Sequence, residues 1–151
     1  MDASTMSLVI DDLRGVAEGG IDIRNDGDGG FSLLFDGMEI LRADWADAPA
    51  RLVTTFELGK VVPSRKILVY EAMLTYNLLW QETGGARLAM AGPDGQVMLV
   101  HEMPAEQMTA SDLSAALARL CQVGGAWRRF VIDAAPPEPV QALSWPPSDK
   151  A

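Results

Sequence analysis

The chain has 151 residues, enough for one domain with a real hydrophobic core. Its 21 acidic residues against 12 basic ones give a formal charge of -9, which argues against nucleic acid and anionic membrane as partners, because both need lysine and arginine stripes. That balance suits solubility and a partner that is basic or apolar. Aromatic residues make up only 7%, so the core must be mostly aliphatic, and the single cysteine, Cys121, excludes an internal disulfide. A lone cysteine is compatible with a reducing cytosol.

Met1 to Leu8 has no basic region, and its longest neighbouring apolar run is Leu8 to Ile10, so no signal peptide is expected. No stretch approaches the roughly 20 apolar residues that span a bilayer. The expectation is a protein kept in the bacterial cytoplasm.

Asp2 to Glu18 reads as an amphipathic helix, with Met6, Val9, Ile10, Leu13 and Val16 at three- and four-residue steps. Ser4 or Thr5 is the expected cap, and Gly19-Gly20 the stop. Asp22 to Gly30 reads as a solvated loop. Phe31, Leu33 and Phe35 alternate, as do Met38, Ile40 and Arg42, and Asp36-Gly37 between them is the dipeptide a two-residue hairpin turn prefers. A third strand covers Arg51 to Leu58.

Pro63 suits a first helical turn, with Val62 near the cap, and the helix is expected over 64–81. Ile67, Tyr70, Glu71, Leu74, Leu78 and Gln81 line one side and Leu68, Ala72 and Leu79 a second strip, so both sides of this helix are expected to be covered. Ala86 to Ala91 and Gln96 to Met103 form a second hairpin around Gly92-Pro93-Asp94-Gly95. The last helix starts near Thr109 or Ser111 and buries Leu113, Leu117, Leu120, Cys121, Trp127 and Val131. Gly124-Gly125 predicts a bend or a close backbone contact there. Five prolines after Asp133 make 134–151 a flexible tail, leaving 1–133 as the domain. The predicted order is α-β-β-β-α-β-β-α, an α+β fold with an antiparallel sheet.

Chemistry is scarce. His101 neighbours Glu102, but adjacent strand residues point to opposite faces, so His101 reads as an ordinary surface or edge histidine. Cys121 lies on the apolar side of its helix and reads as a small buried hydrophobe. One histidine and one cysteine are too few for a soft-ligand metal site. Counted from Asp22, a calcium loop fails at Arg24 and Leu33. Of the 8 methionines, Met73, Met90, Met98, Met103 and Met108 read first as core fillers and second as an adaptable surface. No catalytic residue, metal or cofactor is expected.

One run of residues carries more. Asn77-Leu78-Leu79-Trp80-Gln81 is followed by Thr83-Gly84-Gly85-Ala86-Arg87-Leu88, then Pro93-Asp94-Gly95, Val97-Met98-Leu99, His101 and Met103-Pro104, and a helix with Leu113, Leu117, Leu120 and Trp127. This stretch resembles the class I type III secretion chaperones, the family that includes the Tir chaperones. In that family a helix ending in a similar N-L-L pattern leads through a glycine pair into a hairpin, and the order of elements agrees over roughly residues 4–133. The resemblance implies a cytosolic, non-catalytic homodimer that binds an extended N-terminal segment of a secreted effector before export. It also implies a secretion ATPase as a separate component and possible partner.

An exposed sheet edge can offer main-chain hydrogen bonds to such a segment, with pockets for alternate side chains. Leu13, Phe31, Leu33, Phe35, Ile40 and Phe56 are the effector-binding candidates. Leu74, Leu78, Trp80, Leu88 and Met90 are the dimer-interface candidates, since an isologous contact uses one patch twice. Two readings compete with this one: a non-secretory interaction or regulatory protein of the same fold, and a small hydrolase or transferase using His101 or Cys121.

Overall fold

The computed structural model describes residues 2–17, 20–35 and 39–132, the side chains of Glu39 and Ile40 excepted. The expected Asp36-Gly37 turn and the 134–151 tail lie outside them. The elements are α1 (Ala3–Val16), β1 (Ile21–Asn25), β2 (Gly30–Phe35), β3 (Glu39–Asp47), β4 (Ala50–Gly59), α2 (Lys66–Leu78), β5 (Arg87–Met90), β6 (Val97–Pro104) and α3 (Ala110–Ile132). The strands form one sheet in the order β1-β2-β3-β4-β6-β5, with β1–β2, β2–β3 and β5–β6 antiparallel. The fold is α+β, as expected, with one strand more than the sequence reading supplied. The chain divides into two compact units, Met1–Thr55 with Glu102–Cys121 and Phe56–His101 with Gln122–Ala151.

In the first unit, α1 is capped by Asp2 rather than by Ser4 or Thr5. Its carboxylate accepts from the Thr5 N–H at 2.8 Å, because Thr5 sits three residues into the helix, where an unpaired N–H needs an acceptor. Met6, Ile10 and Leu13 are fully buried, and α1 packs on β1 and β3.

The stretch read as a loop, Asp22 to Gly30, is instead most of a hairpin. Ile21 and Ile23 alternate with Asp22 and Arg24, and β1 pairs with β2 from Ile21 opposite Phe35 to Asn25 opposite Phe31. The glycines belong to the turn. Gly27 and Gly29 take φ of 82° and 83°, the left-handed region that glycine tolerates best, and Asn25 and Asp28 side chains accept from the N–H groups of Gly27 and Gly30. Phe31, Leu33, Leu41, Ala43 and Leu52 of the strands are buried, as are Leu113, Leu117 and Leu120 of α3. Thr109 and Asp112 cap α3 reciprocally: the Thr109 hydroxyl oxygen accepts the Asp112 N–H at 3.1 Å, and the Asp112 carboxylate accepts the Thr109 N–H at 3.2 Å.

In the second unit, Pro63–Arg65 forms a single 3-10 turn and the α-helix ends at Leu78, so the predicted 64–81 helix is shorter at both ends. The buried residues of α2 are Val69, Met73 and Tyr76, a strip the sequence pattern passed over. Tyr76 meets Trp127 edge-on at 5.3 Å between ring centroids, and Trp127 meets Phe130 at 5.5 Å. Gly124 answers the expected close contact: a Cβ built there would lie 3.1 Å from the Phe56 ring.

Candidate functional site

Two surfaces stand out, one in each unit. The first is the outer edge of β1. The Asp26 N–H donates to the Gly30 carbonyl at 3.0 Å, which continues the β1–β2 register. Backbone groups alternate in direction along an antiparallel ladder, so Arg24 and Asp22 also turn toward β2, and Ile21, Ile23 and Asn25 turn their N–H and C=O groups outward. Among these, the Ile23 carbonyl accepts from Arg14 Nη2 of α1 at 3.1 Å. Arg14 Nη1 also pairs with Asp11 at 3.3 Å. Beside the edge, Arg42 reaches Asp44 at 2.9 Å, Asp28 at 3.2 Å and Asp26 at 3.7 Å. Its guanidinium, hydrogen-bonded to Asp28, holds that carboxyl below the usual aspartate range. Elsewhere in this unit, Arg51 and Glu102 pair at 3.0 Å in a groove lined also by Pro49, Ala50, Pro104 and Glu106.

The second surface is the outer face of α2. Ile67, Leu74, Leu78 and the following Trp80 are 76%, 70%, 77% and 65% exposed. Steps of seven and four residues keep Ile67, Leu74 and Leu78 on one stripe. Met90, at the end of β5, is also exposed. At the centre of β5 the Asn77 side chain bonds both backbone groups of Leu88. Lys66 pairs with Asp94 near the start of α2, and each shifts the other toward its charged form.

The sequence-derived candidates divide by burial. Leu74, Leu78, Trp80 and Met90 are exposed, whereas Leu88 is buried. Leu13, Leu33 and Phe56 are fully buried, Phe31 nearly so and Phe35 half-buried, while the Ile40 side chain lies outside the described residues. The residues that frame the open edge, Ile21, Ile23 and Arg14, were missed as site residues. The alternation of Ile21 and Ile23 was the available signal, and the glycines after them obscured it.

His101 is buried, contrary to the surface or edge position expected. Its Nε2 lies 3.0 Å from the Gly84 carbonyl. A carbonyl can only accept, so that nitrogen carries the proton. The positive φ of Gly84, 62°, belongs to the turn that brings this carbonyl into range. Cys121 is half-buried. Among the described residues no cluster of His, Cys, Asp or Glu is arranged to hold a metal ion, and no helix is long and apolar enough to cross a membrane.

The pattern of the Tir chaperone protein (CesT) family matches residues 16–128. The chain belongs to that family. No curated protein matches this chaperone. Its fold is shared with a chain of the HopA1–SchA chaperone–effector complex, 20% identical, covering 85% of this chain and 98% of the other, with a TM-score of 0.63. A chain of the ExsC–ExsE complex, also 20% identical, covers 89% of this chaperone and 100% of its own length, with a TM-score of 0.70. Membership of a chaperone family decides between the binding and the enzymatic readings: the protein is a chaperone and not an enzyme.

Proposed function

We propose that this chaperone is a cytoplasmic homodimer that binds an extended N-terminal segment of one or more type III secretion effectors. It keeps that segment competent for secretion and delivers it to the export apparatus, where the secretion ATPase is the receiving partner. The observation that carries the dimer is the stripe of Ile67, Leu74, Leu78 and Trp80. Three large apolar side chains exposed on one helix face, with Trp80 just beyond the helix end, are costly to leave in water, at about 25 cal/mol for each Å². A two-fold contact would bring the stripe against its own copy. On β5, which packs against α2, Met90 is exposed and Leu88 is buried.

Client binding is assigned to the β1 edge, which can accept an added strand. Phe35, paired with Ile21 and half-buried, is the effector-binding candidate that reaches solvent there. Leu13, Phe31 and Leu33 hold the edge in place from the core. Co-expression with the N-terminal segment of an effector encoded beside it, followed by light scattering, tests both parts. The expected result is a soluble complex built on two copies of the 16.2 kDa chain. A monomer that captures no segment would overturn the reading.

A further inference from the structure

Among the described side chains, charge is distributed unevenly between the units. The unit that contains β1 carries eleven acidic and five basic residues, whereas the other carries four acidic and six basic. The chain's acidity is therefore concentrated in the unit that offers the open edge. Around that edge and its turn stand Asp11, Asp22, Asp26, Asp28 and Asp44, against Arg14, Arg24 and Arg42. The arginines are committed: Arg14 to Asp11 and the Ile23 carbonyl, Arg24 to Asp22 at 3.7 Å, and Arg42 to three aspartates. Several of the carboxylates are well exposed, with side chains of Asp22 and Asp28 64% and 65% accessible.

We infer that the segment added to β1 is a basic one, an extended stretch with lysine or arginine at alternating positions. The inference rests on the reading of β1 as the client-accepting edge, and it names the chemistry of the client. Residues on an added strand alternate between faces. One set would lie toward Phe35 and α1, and the other would stand beside Asp22. The net negative field there attracts a cationic set and repels an acidic one. Arg14 holds the Ile23 carbonyl in the free chain, and an incoming backbone N–H takes its place. A cationic side chain on the incoming strand then stands beside the exposed Asp22 carboxylate.

The test uses the full chain and three short synthetic peptides on one Thr/Val frame, carrying Lys, Glu or Ser at alternate positions. Binding is measured by calorimetry, and the Ile21 and Asn25 amides are followed by NMR. The Lys peptide should bind at least about tenfold more tightly than the Ser peptide, and the Glu peptide more weakly than either. The gap should close between about 0.1 and 1 M salt, as the Debye length shrinks from about 10 to 3 Å. The double variant Asp11→Lys/Asp22→Lys should abolish the preference, with circular dichroism unchanged. Binding indifferent to peptide charge overturns the inference and leaves strand addition standing. A lysine preference that does not perturb the Ile21 and Asn25 amides also overturns it, because the cation is then held elsewhere. If no peptide binds at low salt, strand addition at β1 fails, and the inference fails with it.

Discussion

Asn77 donates through Nδ2 to the Leu88 carbonyl at 2.9 Å and accepts the Leu88 N–H through Oδ1 at 2.8 Å, so a single side chain from α2 stands in for a neighbouring strand. The Ala91 N–H bonds the Gln96 carbonyl, which fixes the parity of β5 and turns the Leu88 backbone outward, toward Asn77. Asn77→Ala should destabilise the protein by about 1–3 kcal/mol, because both backbone groups lose their partners in a part-buried setting. Asn77→Asp should not rescue it at neutral pH, since a carboxylate oxygen would then face the Leu88 carbonyl. Denaturant midpoints, with hydrogen exchange at the Leu88 amide, check both variants.

Leu74→Glu/Leu78→Glu places two charges on the exposed stripe of α2, away from Val69, Met73 and Tyr76. The expected outcome is a folded monomer, with unchanged far-ultraviolet circular dichroism and half the mass in light scattering. The thermal midpoint should fall and should lose its dependence on protein concentration. A double variant that remained a dimer would move the interface to another surface.

Two glycines inside helices should respond in opposite directions. Gly15 in α1 has nothing within 4 Å of a built Cβ, so Gly15→Ala should stabilise the protein by about 0.5–1 kcal/mol through helix propensity. Gly124 in α3 has the Phe56 ring at 3.1 Å, and Phe56 is 1% exposed with little room to move. There overpacking, about 1–3 kcal/mol, should outweigh the same propensity gain. Chemical denaturation of the two variants side by side reads the difference.

Burial pushes the Tyr76 hydroxyl up to about 12. The unfolded chain releases this proton near pH 10 and the folded chain holds it, so stability falls as pH rises from about 10 to 12. The Tyr76 hydroxyl and the Trp127 indole N–H have no hydrogen-bond partner among the described residues. Tyr76→Phe should therefore leave stability at neutral pH unchanged or raise it by about 1 kcal/mol, and should remove part of the alkaline decline. Thermal melts across that pH range test the sign.

The elements with strong periodicity were legible in the sequence. The Met6, Ile10 and Leu13 face, the Phe31 and Leu33 alternation and the Leu113 to Trp127 stripe each announce a buried surface. β1 was not legible, because five residues beside a glycine-rich turn resemble a linker when the partner strand is not considered. The helix over 64–81 misled in another way. Both of its apolar strips were visible, but Val69, Met73 and Tyr76 form the side this chain buries. Periodicity shows that a helix has apolar faces; it does not say which face meets the chain's own core. His101 was misplaced for a related reason: its partner is the Gly84 carbonyl, set by a left-handed glycine seventeen residues earlier. Asn77 was visible as a letter of the family pattern, but its hydrogen bonds to Leu88 are a tertiary fact.

The plugging of β5 by Asn77 gives the sheet a direction of growth. Sheets with two vacant borders can stack copy upon copy into fibres. Here one border is stoppered at its middle, and the opposite border is guarded by Arg14 at a single carbonyl. An incoming strand would therefore join the sheet at β1 and not at β5. The expected product is one client strand per chain, and a complex of finite size that stays dissolved while it waits.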